Sequence, residues 1–216
     1  MRARIGAIMG VWLLFWGAQA FGTTIAFYED GVIEDGDVYT AVGVYNNATV
    51  DMTGGSVTFQ LTAYDFSIVN ISGGSLEAII CTGSGTVNLS GGSVISGMGV
   101  SSSGTANVFG GTLAVLDVGS SNPSNLHGGT ISDYLRATST TNVYGYGFDY
   151  NPLAGSYGGG QLTGFWLNNS PFSLDLYASD EPGGAPVDTY SHLMLIPEPA
   201  TILFLGAGML LVTRKK

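Results

Sequence analysis

A glycine-anchored unit of 18 or 19 residues recurs through the middle of this chain. Its copies read "ATVDMTGGSVTF" from Ala48, "SIVNISGGSLEA" from Ser67, "GTVNLSGGSVIS" from Gly85, "GTANVFGGTLAV" from Gly104, "PSNLHGGTISDY" from Pro123 and, degraded, "TTNVYGYGFDY" from Thr140. Their first glycines are Gly54, Gly73, Gly91, Gly110, Gly128 and Gly145, with steps of 19, 18, 19, 18 and 17 residues. A unit this short cannot bury an apolar face alone, so the copies must stack.

Alignment on the glycine shows what would stack. Two residues before it stand Met52, Ile71, Leu89, Val108, Leu126 and Val143; three after it stand Val57, Leu76, Val94, Leu113, Ile131 and Phe148. Both columns are apolar throughout and are expected to face inward. Three residues before the glycine lie Asp51, Asn70, Asn88, Asn107, Asn125 and Asn142. Two roles are open for this column: a ladder in which each amide donates to the next coil, or a corner where Asn tolerates left-handed backbone angles. Either role is structural. The glycine pairs would supply positive φ and close approach at a corner. The hydroxyls of Ser56, Ser75, Ser93, Thr112 and Thr130 would follow as a row.

β-branched residues, Gly, Ser, Thr and Asn dominate, and alternation in runs such as "TVNLS" fits strands rather than helices. The expected fold is therefore all-β, a parallel β-solenoid (β-helix) with 18- to 19-residue coils. At about 4.8 Å per rung, six to eight coils would make a rod of about 30 to 40 Å. An antiparallel sandwich also spaces strands regularly, but it does not require the same residue types in the same columns.

Flanking segments complete the organisation. Residues 1–20 read as a signal peptide, 21–47 as an N-terminal lead-in and first irregular coil, 48–150 as the repeats, and 151–196 as cap and linker. Phe165, Trp166 and Phe172 would cover the last coil's edge, and 197–216 is a tail of separate character.

Charge narrows the function classes. Between residues 21 and 197 there are fifteen acidic side chains and one basic, Arg136, a formal charge of −14. Such a field repels nucleic acid and acidic sugars. The thirty-four glycines do not imply disorder, because 45% of residues are hydrophobic and eleven Tyr and ten Phe are present. Cys81 is the sole cysteine, so no intrachain disulfide can form.

The two ends are membrane-directed. "MRARIGAIMGVWLLFWGAQAFG" has Arg2 and Arg4, an apolar stretch and the small-residue site Ala18-Gln19-Ala20, a pattern cut by signal peptidase after Ala20. The tail "IPEPATILFLGAGMLLVTRKK" carries Pro197, Glu198 and Pro199, an apolar run from Ala200 to Val212, and the basic stop Arg214, Lys215 and Lys216. As a transmembrane helix that run spans roughly 20 Å, short of a roughly 30 Å hydrocarbon core, and is marginal as a permanent anchor.

Three features in this order resemble the PEP-CTERM sorting signal of exported bacterial proteins, and the "VNISGGS" and "VNLSGGS" units look like the β-solenoid bodies frequent among them. The resemblance implies recognition by an exosortase, a membrane transpeptidase-like protease that cuts near the Pro-Glu-Pro motif, with the apolar run as a transient anchor. It also implies a membrane-anchored precursor and a final place at the cell surface or outside the cell.

No reactive cluster stands out. A polysaccharide lyase needs cations beside the sugar carboxylate, and only Arg136 is present. A glycosidase needs paired carboxylates, yet Asp117, Asp133 and Asp149 fall at different offsets within their repeats. His127 replaces Ser or Thr at a repeat position and His192 lies in the linker; neither has a nucleophile beside it. Asp30, Asp35 and Asp37, with Glu29 and Glu34, are dense enough in oxygen to suit Ca²⁺, although their spacing fits no EF-hand loop, and an acidic turn is the alternative. Tyr134, Tyr144, Tyr146 and Tyr150 are candidate glycan platforms or packing between solenoid and cap. The expectation is a secreted, non-enzymatic surface or extracellular-matrix protein. Its partners would be extracellular polysaccharide or further copies of itself; a carbohydrate-active or glycan-binding β-helix is the alternative.

Overall fold

The computed structural model describes residues 23–179 and 186–197. Ala18, Ala20, Glu198, Pro199 and the basic stop at Arg214, Lys215 and Lys216 lie outside the described residues.

The body is a parallel β-solenoid of about six turns, with coils of about 19 residues. β1 (Thr23–Phe27), β2 (Gly31–Ile33) and β3 (Val38–Val44) open the stack. The regular coils pair a short strand with a long one: β4 (Thr49–Met52) with β5 (Ser56–Ala63), β6 (Ile68–Ile71) with β7 (Ser75–Cys81), and β8 (Thr86–Leu89) with β9 (Ser93–Val100). Two more follow, β10 (Thr105–Val108) with β11 (Thr112–Val118), and β12 (Ser124–Leu126) with β13 (Thr130–Ala137). The short strands stack in register as one sheet and the long strands as a second.

Alternation decides which side chains enter the core. In "TVNL", Val87 and Leu89 are buried while Thr86 and Asn88 face outward. The column two residues before the glycine is buried in every copy, and the column three after it is buried from Val57 to Ile131, with Phe148 partly buried. Each long strand shifts register at its middle, between Leu76 and Ala78 in β7 and between Leu113 and Val115 in β11. A bulge bends a strand, so one strand lines two walls of the core; beyond the bend Ile79 and Cys81, Met98 and Val100, and Leu116 and Val118 are buried in turn. Each fully buried Leu, Ile or Val stabilises by roughly 1.5–3 kcal/mol.

The two glycines of each pair do different work. A Cβ on Gly91 would lie 2.3 Å from the Ser72 carbonyl oxygen of the preceding coil, whereas Gly92 has φ +81°. The first allows close stacking of coils and the second makes the corner. A second left-handed column occupies the opposite corner, at Asn46, Asp65, Gly83 and Ser102, with φ of 60°, 53°, 64° and 59°. Asn, Asp and Gly are the residues that adopt this conformation most readily.

The sixth copy starts in register and then departs. Tyr146 stands where the second glycine belongs, and β14 (Thr141–Asn151) runs on through Gly145 instead of turning there. It pairs first with β12, then antiparallel with β15 (Gly158–Phe165), which pairs with β16 (Pro171–Ser179). β16 returns beside β13 at Leu135 and Leu176. Trp166, Phe172, Leu174 and Leu176 join the core, and Trp166 Nε1 donates to the Gly129 carbonyl at 3.2 Å. After β17 (Val187–Asp188) and a single 3-10 turn, β18 (Leu193–Pro197) lies parallel on β14 from Thr141–Leu193 to Gly145–Pro197.

Candidate functional site

The outer face of the short-strand sheet carries the most regular chemistry in the molecule. Asn70 Nδ2 donates to Asp51 Oδ1 at 2.8 Å, Asn88 to Asn70 Oδ1 at 2.8 Å, Asn107 to Asn88 Oδ1 at 2.8 Å, Asn125 to Asn107 Oδ1 at 2.7 Å and Asn142 to Asn125 Oδ1 at 2.8 Å. The Asx column is an amide ladder with one polarity, every amide pointing its donor toward the N-terminal coil. Asp51 stands at the accepting end. A carboxylate accepts but does not donate, so this is the position in the series that suits Asp. Within the hydroxyl row, Thr112 Oγ1 donates to Ser93 Oγ at 3.3 Å.

Aromatic columns run along the same axis. Phe109, His127 and Tyr144 stack with ring centroids 4.9 and 4.0 Å apart, and Tyr28, Tyr45 and Tyr64 stack at 5.1 and 4.7 Å. His127 is therefore not an incidental replacement. It is the middle ring of a stack, and desolvation there pushes its pKa below the ordinary value. The residue before each first glycine carries this signal, because Phe109, His127 and Tyr144 hold one column position in consecutive coils.

The remaining tyrosine candidates pack against the cap. Tyr146 stacks on Phe165 at 5.4 Å and its hydroxyl donates to Asn169 Oδ1 at 2.7 Å; Tyr150 stacks on Tyr190 at 3.6 Å; Tyr134 lies 4.7 Å from Tyr157 and 5.3 Å from Tyr177. Tyr144 belongs to the His127 stack.

Arg136 is the one Lys or Arg among the described residues. Its Nη1 donates to both carboxylate oxygens of Asp117, at 3.0 and 2.9 Å, on the adjacent rung, and its guanidinium sits 5.9 Å over the Tyr177 ring. The cation that a lyase would need is already paired. Asp133 is exposed on β13 and Asp149 is exposed on β14 where that strand has joined the cap hairpin, so the two carboxylates belong to different sheets.

The acidic segment near the N-terminus is spread over turns. Asp30 Oδ1 accepts from the Thr49 amide at 2.8 Å, Asp37 Oδ2 accepts from the Glu34 amide at 2.9 Å, and Asp35 lies against Gly54 in the corner. Among the described residues no three His, Cys, Asp or Glu side chains come together to hold a metal ion. Cys81 is buried, its Sγ donates to the Gly85 carbonyl at 3.1 Å, and burial pushes its pKa up to about 11. Such a thiol is unreactive at neutral pH. Pro197, the first residue of the expected sorting motif, is exposed at the end of β18. Among the described residues no helix is long and apolar enough to cross a membrane.

No family model, curated protein or solved structure matches this chain.

Proposed function

We propose that this chain is an exported, non-enzymatic surface or matrix protein, cut by signal peptidase at its N-terminus and sorted by an exosortase through a PEP-CTERM-type tail. Its partners are extracellular polysaccharide or neighbouring copies, and its contact with the membrane is a transient C-terminal helix.

One observation carries the reading. The repeating polar side chains of the solenoid are engaged with one another, amide to amide from Asp51 to Asn142 and Arg136 to Asp117, rather than converging on a common point in space. That is the arrangement of a scaffold. The order of the tail supports the sorting half of the proposal, since β18 ends on an exposed Pro197 and Glu198 and Pro199 follow directly.

Intact-mass measurement of the protein recovered from cell surface and medium tests it, with and without a working exosortase. Loss of the first twenty or so residues in both cells, and of the tail only where the exosortase works, is the expected result. A tail retained in both overturns the sorting reading. Hydrolysis or lysis of a glycan panel that is abolished by Asp133→Asn or Asp149→Asn overturns the non-enzymatic one.

A further inference from the structure

The column before the first glycine changes character halfway along the solenoid. It holds Thr53, Ser72 and Ser90 in the early coils and Phe109, His127 and Tyr144 in the later ones. Phe109 stacks on His127 through one face. Its amide donates to the Leu89 carbonyl, which places the ring one rung beyond Ser90, so the other face looks down the column on to an exposed small hydroxyl residue. Phe109 is 51% exposed. The column thus contains a step, an aromatic wall above a ledge of hydroxyls.

Hydrogen-bonding groups border this step. Asn88 and Ser90 are two residues apart across a strand end, so both face outward beside the ledge. Asn88 uses one amide proton toward Asn70 and one carbonyl lone pair toward Asn107. An amide has two of each, so one N–H and one lone pair remain. Ser90 Oγ donates to the Ile71 carbonyl at 3.1 Å and keeps its lone pairs for an incoming hydroxyl. No Lys or Arg among the described residues is available here, since Arg136 is held by Asp117 on the other sheet.

An apolar ring face, a rim of neutral donors and acceptors, and an acidic body that repels anions define the ligand. We propose that the step binds a neutral sugar ring, its C–H face against Phe109 and its hydroxyls on Ser90 and the spare amide groups of Asn88. The ring would fill the column volume that a large side chain at position 90 would occupy. This deepens the polysaccharide partnership proposed above and rests on it, but it is independent of how the chain is exported.

Saturation-transfer NMR on the purified full chain, with neutral oligosaccharides of glucose, mannose, galactose and N-acetylglucosamine as probes, tests the site. At least one of these probes is expected to bind, and Phe109→Ala to weaken it at least tenfold. Ser90→Phe completes the aromatic column and should abolish binding without lowering the thermal midpoint, which separates an occupied site from a damaged fold. Phe59→Ala removes another exposed ring, 62% exposed on the long-strand sheet, and should leave binding unchanged. Absence of saturation transfer to every probe overturns the proposal, as does Ser90→Phe binding like the parent chain. Export is read by mass and binding by NMR, so failure of one is distinguishable from failure of the other.

Discussion

Ser67 is fully buried at a corner, and its hydroxyl has no hydrogen-bond partner among the described residues. The preceding coil places Ala48 at the same point in the register, where the Ile68 amide donates to the Ala48 carbonyl. A methyl group is therefore already accommodated in this column. Ser67→Ala removes an unsatisfied buried polar group and should stabilise the fold by about 1 kcal/mol, seen as a higher urea midpoint with unchanged slope. A lower midpoint would mean that the hydroxyl has a partner in solution. Cys81 supplies a second test at this scale. Its folded pKa of about 11 lies above the ordinary 9.0 because burial disfavours the thiolate. The folded state holds its proton where the unfolded chain has lost it, so this contribution to stability is complete below about pH 9 and disappears as pH rises through about 11. Comparison of the parent chain with Cys81→Ala by urea unfolding across that range should show the steeper decline in the parent; equal declines would place the thiolate in solvent contact.

At the scale of elements, the amide ladder ties successive rungs together through side chains as well as backbone. Its polarity makes position 88 intolerant of Asp. A carboxylate there could accept from Asn107, but it would set oxygen against Asn70 Oδ1, which now accepts from Asn88. Asn88→Asp is expected to cost about 1–3 kcal/mol at neutral pH, more than Asn88→Ala, and to recover partly below about pH 4, where the protonated acid can donate. Urea midpoints of the two variants at pH 7 and pH 4 decide this; an Ala variant that is the weaker at pH 7 would show that the ladder has no fixed direction. The ladder was legible in the sequence because parallel stacking returns one residue type to one column in every coil. The Phe109–His127–Tyr144 column was harder to see, since Ser90 and Phe109 share a backbone geometry but not a chemistry, and a change of residue type midway hides the repeat. The paths of β15 and β16 were illegible for another reason. An antiparallel hairpin occurs once, so no second copy exists to align with it, and only the cluster of Phe165, Trp166 and Phe172 marked the region as a cover.

At the scale of the whole molecule, a solenoid's stability is a sum of coil terms and nearest-neighbour interfaces, and its ends are where that sum is weakest. Among the described residues, the N-terminal rungs β1 and β2 pair on one side only, with β3 and β4. Glu29, Asp30, Glu34, Asp35 and Asp37 lie in the turns beside them, and like charges gathered at a sheet edge oppose end-to-end pairing of copies through that edge. At the other end β18 adds one more rung, which among the described residues pairs with β14. β18 brings Leu193 and Leu195, both partly buried, on to β14 in parallel register and ends at Pro197. A chain that stops at Pro197 keeps this rung, and one that stops at His192 loses it while retaining the Tyr150–Tyr190 stack. Loss of the rung should cost roughly 2 kcal/mol from the two leucines, which lowers the thermal midpoint by about 4–8 °C for a chain of this size. Equal midpoints for the two truncations would make β18 a passive linker. A lower midpoint for the shorter chain would mean that, under the sorting proposed above, a cut at or beyond Pro197 leaves a more stable body than one before β18.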